Sequence, residues 1–374
     1  MKHIKLRDSG IVYGNPKPHL KSCHAYFPTI VELSENEIIV GLDIGSAFEA
    51  LDVRSFSCRS QDGGITWSEP QMIFSPDESE HRVSTTCRLS RINGNKIIGW
   101  GCLFDRTREH DGLTNPNTEG FCRTRFVTVE SSDGGRSWTP PRPVELPTNW
   151  HHFETCTPPY SLNEEGRLLV VTSPWPNWEG ELSPWNRDGI AFVSENDGAD
   201  WTDIVRVFPN EDRPLLALEP AIARLANGHI LAVCWTFDNL QQRSVHNRWC
   251  LSMDGGKQFE PPKTAPIHGE TCRPLVLPNN RVLFVYRRVD RPGLWAHLAL
   301  IQNGDWQPIE DFQLWSGVLN NQPSEGHGKV EKMSTMKFGS PAIIQRKNGE
   351  IFIVFWCVED CVSVIRWIRL EVHQ

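Results

Sequence analysis

Tyrosine is scarce. Tyr13, Tyr26, Tyr160 and Tyr286 are the only four in 374 residues, so any phenolic chemistry is confined to those positions. No apolar run approaches the roughly 20 residues of a membrane-spanning helix, so no membrane partner is expected. The opening residues, MKHIKLRDSGIVYGNPKP, lack the apolar core of a secretory leader, and the expected location is cytoplasmic. No long block of Lys and Arg occurs and the formal net charge is −8, which argues against nucleic acid as a partner. Scattered arginines remain available for a small anion. No Cys-x-x-Cys pair is matched by a His pair, so zinc is not expected, nor is another metal or cofactor. The eleven cysteines, an odd number, fall mostly inside apolar runs (Cys58, Cys87, Cys102, Cys156, Cys234, Cys250, Cys357). They read as small buried hydrophobes in a reduced chain. Sustained 3.6-residue periodicity is also missing, which removes long amphipathic helices.

What the chain does have is repetition. SQDGGITW (60–67) returns as SSDGGRSW (131–138), SENDGADW (194–201) and SMDGGKQF (252–259). A second pattern, apolar run, Asn/Gly turn, apolar run, occurs six times. Its copies are PTIVELSENEIIVG (28–41), TCRLSRINGNKIIGWG (86–101), PPYSLNEEGRLLVV (158–171), PAIARLANGHILAVCW (220–235), PLVLPNNRVLFVY (274–286) and PAIIQRKNGEIFIVFW (341–356). Each is a β-hairpin signal. Six units of roughly 60 residues predict an all-β chain, a six-bladed β-propeller with four antiparallel strands per blade. No low-complexity linker interrupts the period, so residues 1–374 read as one propeller domain. The last unit is one strand short, and IKLRDSGIVY (4–13) is predicted to supply the missing outer strand and close the ring.

The Ser-x-Asp turns and the hairpin turns should share one face, leaving the strand starts and remaining loops on the other. Asp62 is expected to accept backbone N–H bonds inside its turn, a structural role, because the further oxygen ligands of a calcium loop are absent. Aligning the hairpins places Phe27, Thr85, Thr157, Glu219, Arg273 and Ser340 at one level, just before the repeated proline position. Glu219 and Arg273 stand out, since charges near a propeller axis need partners or a ligand. Arg54, Arg125, Asp188 and His246 align before the Ser-x-Asp turns, with Asp52 and Arg123 two residues earlier. His24, Tyr26, His81, Arg82, His151, His152, Glu154, His268, Glu270 and Lys337 crowd the strand starts. Histidines there suit acid/base work near neutral pH. Trp175, Trp178 and Trp185 form a candidate sugar-stacking loop.

The Ser-x-Asp-x-Gly-x-Thr-Trp repeat resembles the Asp-box, or BNR repeat, of the sialidase (neuraminidase) superfamily. LDVRSFSCRSQDGGITWS (51–68) is similar to the segment leading into that family's first box. EPAIARLANG (219–228) resembles the segment holding the glutamate that partners the family's nucleophilic tyrosine. The resemblance implies a site on the axis, on the face opposite the boxes. It implies Glu219 as that glutamate, Tyr286 or Tyr26 as the tyrosine, and Asp52 or Asp43 as general acid. The family's arginine clamp is displaced here, with Tyr26 (in AYFP, 25–28) and Trp235 at two of its positions. Arg54, Arg82, Arg125, Arg273, Arg287 and Arg288 could rebuild an anion site. The expected activity is that of a carbohydrate-active enzyme, an exo-acting glycoside hydrolase on an acidic sugar such as sialic acid. The expected catalytic set is Glu219, Asp52, Tyr286, Glu270 and His152. Substrate binding is expected from Arg54, Arg125, Arg273, Arg287, Tyr26, Trp235, His24 and Arg82. A lyase acting on a uronic-acid glycan and a non-catalytic glycan-binding propeller are the alternatives.

Overall fold

The computed structural model describes residues 2–77, 82–162, 166–185, 187–210, 214–317 and 336–373. Strand β1 (Ile4–Tyr13) precedes blade 1, which is β2 (His24–Glu32), β3 (Ile38–Gly45), β4 (Arg54–Ser60) and β5 (Gln71–Met72). Blade 2 is β6 (Val83–Asn93), β7 (Lys96–Asp105), β8 (Thr124–Ser131) and β9 (Arg142–Pro143). Blade 3 is β10 (Tyr160–Ser161), β11 (Leu168–Thr172), β12 (Gly189–Ser194) and β13 (Asp203–Phe208). Blade 4 is β14 (Leu215–Arg224), β15 (Ile230–Asp238), β16 (Arg243–Ser252) and β17 (Lys263–Thr264). Blade 5 is β18 (Gly269–Val276), β19 (Arg281–Arg288), β20 (Leu294–Gln302) and β21 (Asp305–Trp315). Blade 6 takes β22 (Phe338–Gln345), β23 (Ile351–Glu359) and β24 (Val362–Val372), with β1 as its outer strand. Ile4 pairs with Val372 and Tyr13 with Ile365, so the first strand closes the ring as its sequence predicts.

The ring explains the unbroken apolar runs. Side chains alternate across a strand, and the middle strands of each blade are covered on both faces. In β3, Ile38, Val40 and Leu42 pack against Phe352 and Val354 of blade 6, while Ile39 packs against Leu89 and Ile97 of blade 2. Each of the six blade junctions has its own buried cluster of this kind. The eleven cysteines are all free, and eight of them are buried.

The repeated Ser-x-Asp turns are built from their own side chains. Ser60 Oγ donates to Asp62 Oδ1 (2.8 Å) and accepts from Gly64 N (2.8 Å). Asp62 Oδ1 accepts from Ile65 N (3.0 Å) and Thr66 N (2.9 Å). Ser131/Asp133, Ser194/Asn196 and Ser252/Asp254 repeat the serine-to-carboxylate or serine-to-amide link. The Thr66 hydroxyl beside it holds the Asp62 carboxyl well below the usual range. Gly63 N donates to Asn36 O of the neighbouring hairpin turn (2.9 Å), which puts both kinds of turn on one face.

Gly64 shows what this turn demands. Its φ is +94°, and a Cβ there would lie 2.6 Å from Phe352 Cε2. Gly64→Ala should therefore cost about 2 kcal/mol or more, combining backbone strain with a clash. Gly94 also has positive φ but open space around its Cβ position, so Gly94→Ala should cost only about 1 kcal/mol. Urea midpoints at unchanged slope measure both.

Candidate functional site

A cavity of about 140 Å³ sits where the six blades meet. Each blade contributes to its lining: Phe27 and Asp43, Thr85 and Arg88, Glu154, Glu219, Arg273 and Arg287, and Ser340. The inner strands place these side chains by a shared device. β2, β14, β18 and β22 each carry a bulge, at Tyr26/Thr29, Leu218/Ala221, Glu270/Arg273 and Gly339/Ala342. One residue in each bulge has positive φ: Phe27 (+50°), Glu219 (+47°), Thr271 (+52°) and Ser340 (+46°). All four line the cavity. Bulges re-aim side chains, and left-handed non-glycine backbone persists only where surrounding structure holds it. Phe27, Glu219 and Ser340 each precede a proline. Proline has no N–H to give the ladder, and within a sheet it is tolerated at bulges.

This corrects the alignment in blade 5. The bulge residue is Thr271, not Arg273, because Cys272 stands at the proline position and Pro274 lies two residues beyond it. Arg273 still lines the cavity, pairing with Val285 directly after the bulge. Thr157 is buried behind the lining, and Glu154, Thr155 and Cys156 take its place.

Carboxyl groups dominate one wall. Glu154 Oε1 accepts from the backbone N–H of Glu219 (2.8 Å), and its Oε2 accepts from Trp175 Nε1 (3.3 Å). Glu219 Oε2 is buried and receives no hydrogen bond among the described residues. Burial and the neighbouring Glu154 charge push the Glu219 carboxyl up to about 7, against the pull of Arg273 and Arg287. Asp43 lies fully buried opposite. It accepts from Ser55 Oγ (2.7 Å), Thr86 Oγ1 (2.5 Å) and Arg88 Nη1 (3.0 Å). Burial raises its carboxyl despite the Arg88 guanidinium. Glu49, from the loop after β3, is raised by burial too and accepts from Leu113 N (2.9 Å).

Three guanidinium groups share the lining, and they differ in their partners. Arg88 pairs with Asp43 and also donates to Phe27 O. Arg287 pairs with the buried Glu270 through Nε (3.0 Å) and Nη2, and donates to Phe338 O (2.8 Å). Arg273 donates only to two carbonyls, Cys272 O (3.1 Å) and Cys156 O (2.8 Å), and has no carboxylate ion pair among the described residues. Beneath the site lies a second axial cavity of about 120 Å³. Phe27, Arg88, Cys156, Arg273 and Ser340 line both and form the floor between them.

Of the residues singled out from sequence, Glu219, Arg273 and Arg287 line the axial cavity, with Glu270 directly behind Arg287. Phe27, Asp43, Thr85, Glu154, Trp175 and Ser340, also singled out there, line it too, whereas the rest of the expected catalytic and substrate-binding residues lie elsewhere. Tyr286 is in the core between blades 4 and 5, because strand alternation turns it away from the face that Arg287 occupies. Burial raises its hydroxyl far above the usual range. Tyr26 is buried among Phe48 and Trp356. Asp52 is an exposed loop carboxylate accepting from Ser46 N (3.0 Å) and Ser46 Oγ (2.9 Å). Arg54 donates to Leu51 O and Val53 O in that same loop. Arg125 is exposed on β8, and Arg82 pairs with Glu109 at the surface. Trp235 Nε1 donates to Ser244 Oγ (2.9 Å), behind Glu270. His24 accepts from Ser363 N (3.1 Å), His152 Nδ1 lies 2.8 Å from Phe121 O, and His268 Nε2 lies 3.1 Å from Ser244 O. His81 lies outside the described residues. No histidine or tyrosine lines the axial cavity among the described residues. No group of three or more His, Cys, Asp or Glu is placed to hold a metal ion among them either.

Arg88 and Glu49 escaped the sequence reading altogether. The available signal for Arg88, as for Asp43, is a lone charge inside an apolar strand, in TCRLS and in VGLDIG.

No family model matches the chain, and no curated protein matches it in sequence. Solved structures do match. A protein of unknown function from Dyadobacter fermentans superposes with a TM-score of 0.74 over 100% of both chains, at 19% identity. A Streptococcus pneumoniae sialidase gives 0.66 at 13% identity, covering 96% of this chain and 70% of that one. An α-L-arabinanase of Penicillium chrysogenum, complexed with arabinobiose, gives 0.64 at 13% identity over 98% of each. At such identities the likeness carries the fold, a sialidase-like six-bladed propeller that the arabinanase shares.

Proposed function

We propose that the protein is an exo-acting glycoside hydrolase that removes a terminal acidic sugar, such as a sialic acid, at the axial cavity. The carrying observation is Glu219: a buried carboxyl oxygen without a hydrogen bond among the described residues, held near a pKa of 7, next to a second glutamate. A carboxyl in that state is still about half protonated at neutral pH, where an ordinary glutamate is ionised, and can protonate a leaving glycosidic oxygen. Glu154, whose oxygens are anchored by the Glu219 amide and the Trp175 indole, is the second carboxyl of the pair that glycoside hydrolysis uses. With no tyrosine in the described lining, this pair replaces a phenolic nucleophile. Arg273 supports the acidic sugar. A buried guanidinium that forms no ion pair with a carboxylate among the described residues gains one when a substrate carboxylate arrives. Arg287, oriented by Glu270, stands on the same blade. The floor closes the axial cavity below into a pocket, a shape that suits a single terminal sugar. Elimination on a uronic acid would need a base, and the described lining offers neither histidine nor tyrosine for it.

A panel of acidic and neutral glycosides, with products identified by mass spectrometry, tests this reading. Release of an intact acidic sugar with one water added is the expected result. An unsaturated or anhydro product would replace hydrolysis by elimination, and cleavage of neutral glycosides alone would remove the acidic sugar from the proposal.

A further inference from the structure

Trp175 is a wall of two cavities. One is the axial site, and the other, of about 220 Å³, lies among the β7–β8 and β11–β12 loops, the first residues of β14 and the loop after β15. The second cavity has an apolar side, formed by Leu182 and Leu216, and a polar side formed by Glu119, Arg187 and Asn239. Among the described residues, neither the Arg187 nor the Asn239 side chain makes a hydrogen bond or ion pair, and Asn239 Oδ1 is buried without a partner. Glu119 is held at φ +55° by the bond from its N–H to Asn115 O (2.9 Å). Buried polar atoms left unpaired are costly, and backbone strain of this kind clusters at ligand sites. An indole, aliphatic side chains, one bare acceptor and one free donor together match a sugar, which has an apolar C–H face and a rim of hydroxyls. The cavity is also next to the chemistry, because Trp175 Nε1 reaches Glu154 Oε2 at 3.3 Å.

We propose that this cavity holds a neutral, hydroxyl-rich sugar on the leaving-group side of the cleaved bond, so that the preferred substrate is a glycan of at least two units. The leaving-group assignment rests on the hydrolase reading of the axial site; the sugar site itself does not. Asn239 accepts from a hydroxyl, Arg187 donates to another, and Trp175 stacks on the ring.

Two measurements on the full chain test it. The first is ligand-observed NMR with galactose, glucose, N-acetylglucosamine, arabinose and their methyl glycosides. At least one should bind with a millimolar Kd, and Arg187→Ala and Asn239→Ala should each weaken it roughly fivefold to tenfold, the worth of a lost hydrogen bond. Glu219→Gln should leave that binding unchanged. Binding of none of the sugars, binding untouched by both cavity variants, or equal loss in Glu219→Gln overturns the proposal. The second is kinetic. On an acidic glycan of two units, kcat/KM should fall roughly fivefold to tenfold in Arg187→Ala, while an aryl glycoside of the same terminal sugar is cleaved at the wild-type rate. An equal loss on both substrates places Arg187 outside a leaving-group site and overturns that assignment. If the wild type cleaves neither substrate but the NMR pattern holds, the cavity stands as a sugar site and the hydrolase reading falls.

Discussion

Glu219→Gln should cleave substrate at roughly a thousandth of the wild-type rate and yet be the more stable protein above neutral pH. Both halves have one cause. The carboxyl is lifted from its ordinary 4.5 to about 7 because burial and Glu154 disfavour its charge. It therefore binds a proton in the folded state, between those values, that the unfolded chain releases. Its contribution to stability is fully present below about 4.5 and declines as pH rises through about 7. Above that range the charged form costs the fold about 3 kcal/mol, a cost that the neutral amide does not carry. The wild type should accordingly lose kcat/KM above about pH 7 as the proton leaves Glu219, and the melting temperature of Glu219→Gln should exceed the wild type's at pH 8.5 but not at pH 5. Calorimetry at the two pH values and a pH–rate profile measure this. Unchanged activity, or a stability difference independent of pH, would remove Glu219 from its assigned role.

That residue was legible in the sequence, and the reason separates what could be read from what could not. The blades announce themselves locally: each hairpin and each Ser-x-Asp turn is written in contiguous residues. Glu219 was found because it stands just before Pro220 in a repeated pattern, and Phe27 and Ser340 share that signal. Blade 5 misled because its bulge lacks the proline. The positive φ at Thr271 has no local sequence mark there. Tyr286 and Arg287 show a second limit. They are neighbours in sequence, but a strand turns them to opposite faces, so one faces the blade 4 core and the other the axial cavity. Glu154 appeared only as one polar residue among many, since its significance comes from a bond to the Glu219 amide in the next blade. Arg88 was missed because its partner, Asp43, belongs to another blade. Interactions between blades set the site, whereas repeats within blades set the fold.

The Asp43–Arg88 pair should be the most fragile part of this construction. Both side chains are almost fully buried, and Asp43 accepts from Ser55, Thr86 and Arg88 at once. Arg88→Met keeps much of the side-chain volume and removes the guanidinium, leaving a buried carboxylate with two hydroxyl donors. Such a half-broken pair costs about 3–5 kcal/mol. The loss should depend on pH in a fixed direction. Arg88 is the largest influence opposing the upward push of burial on Asp43, so its removal raises that carboxyl further. A carboxyl raised in the folded state stabilises least at high pH, and its penalty shrinks as acid protonates it. The gap in melting temperature between wild type and Arg88→Met should therefore be wide at pH 8 and narrow at pH 5. Replacing both partners tests the same physics from the other side. Asp43→Leu with Arg88→Met leaves no uncompensated charge, so the double variant should recover much of the stability lost in the single one and lose its extra pH dependence. A double variant as unstable as the single one, at both pH values, would show that packing around residue 88 and not the ion pair supports the axial wall.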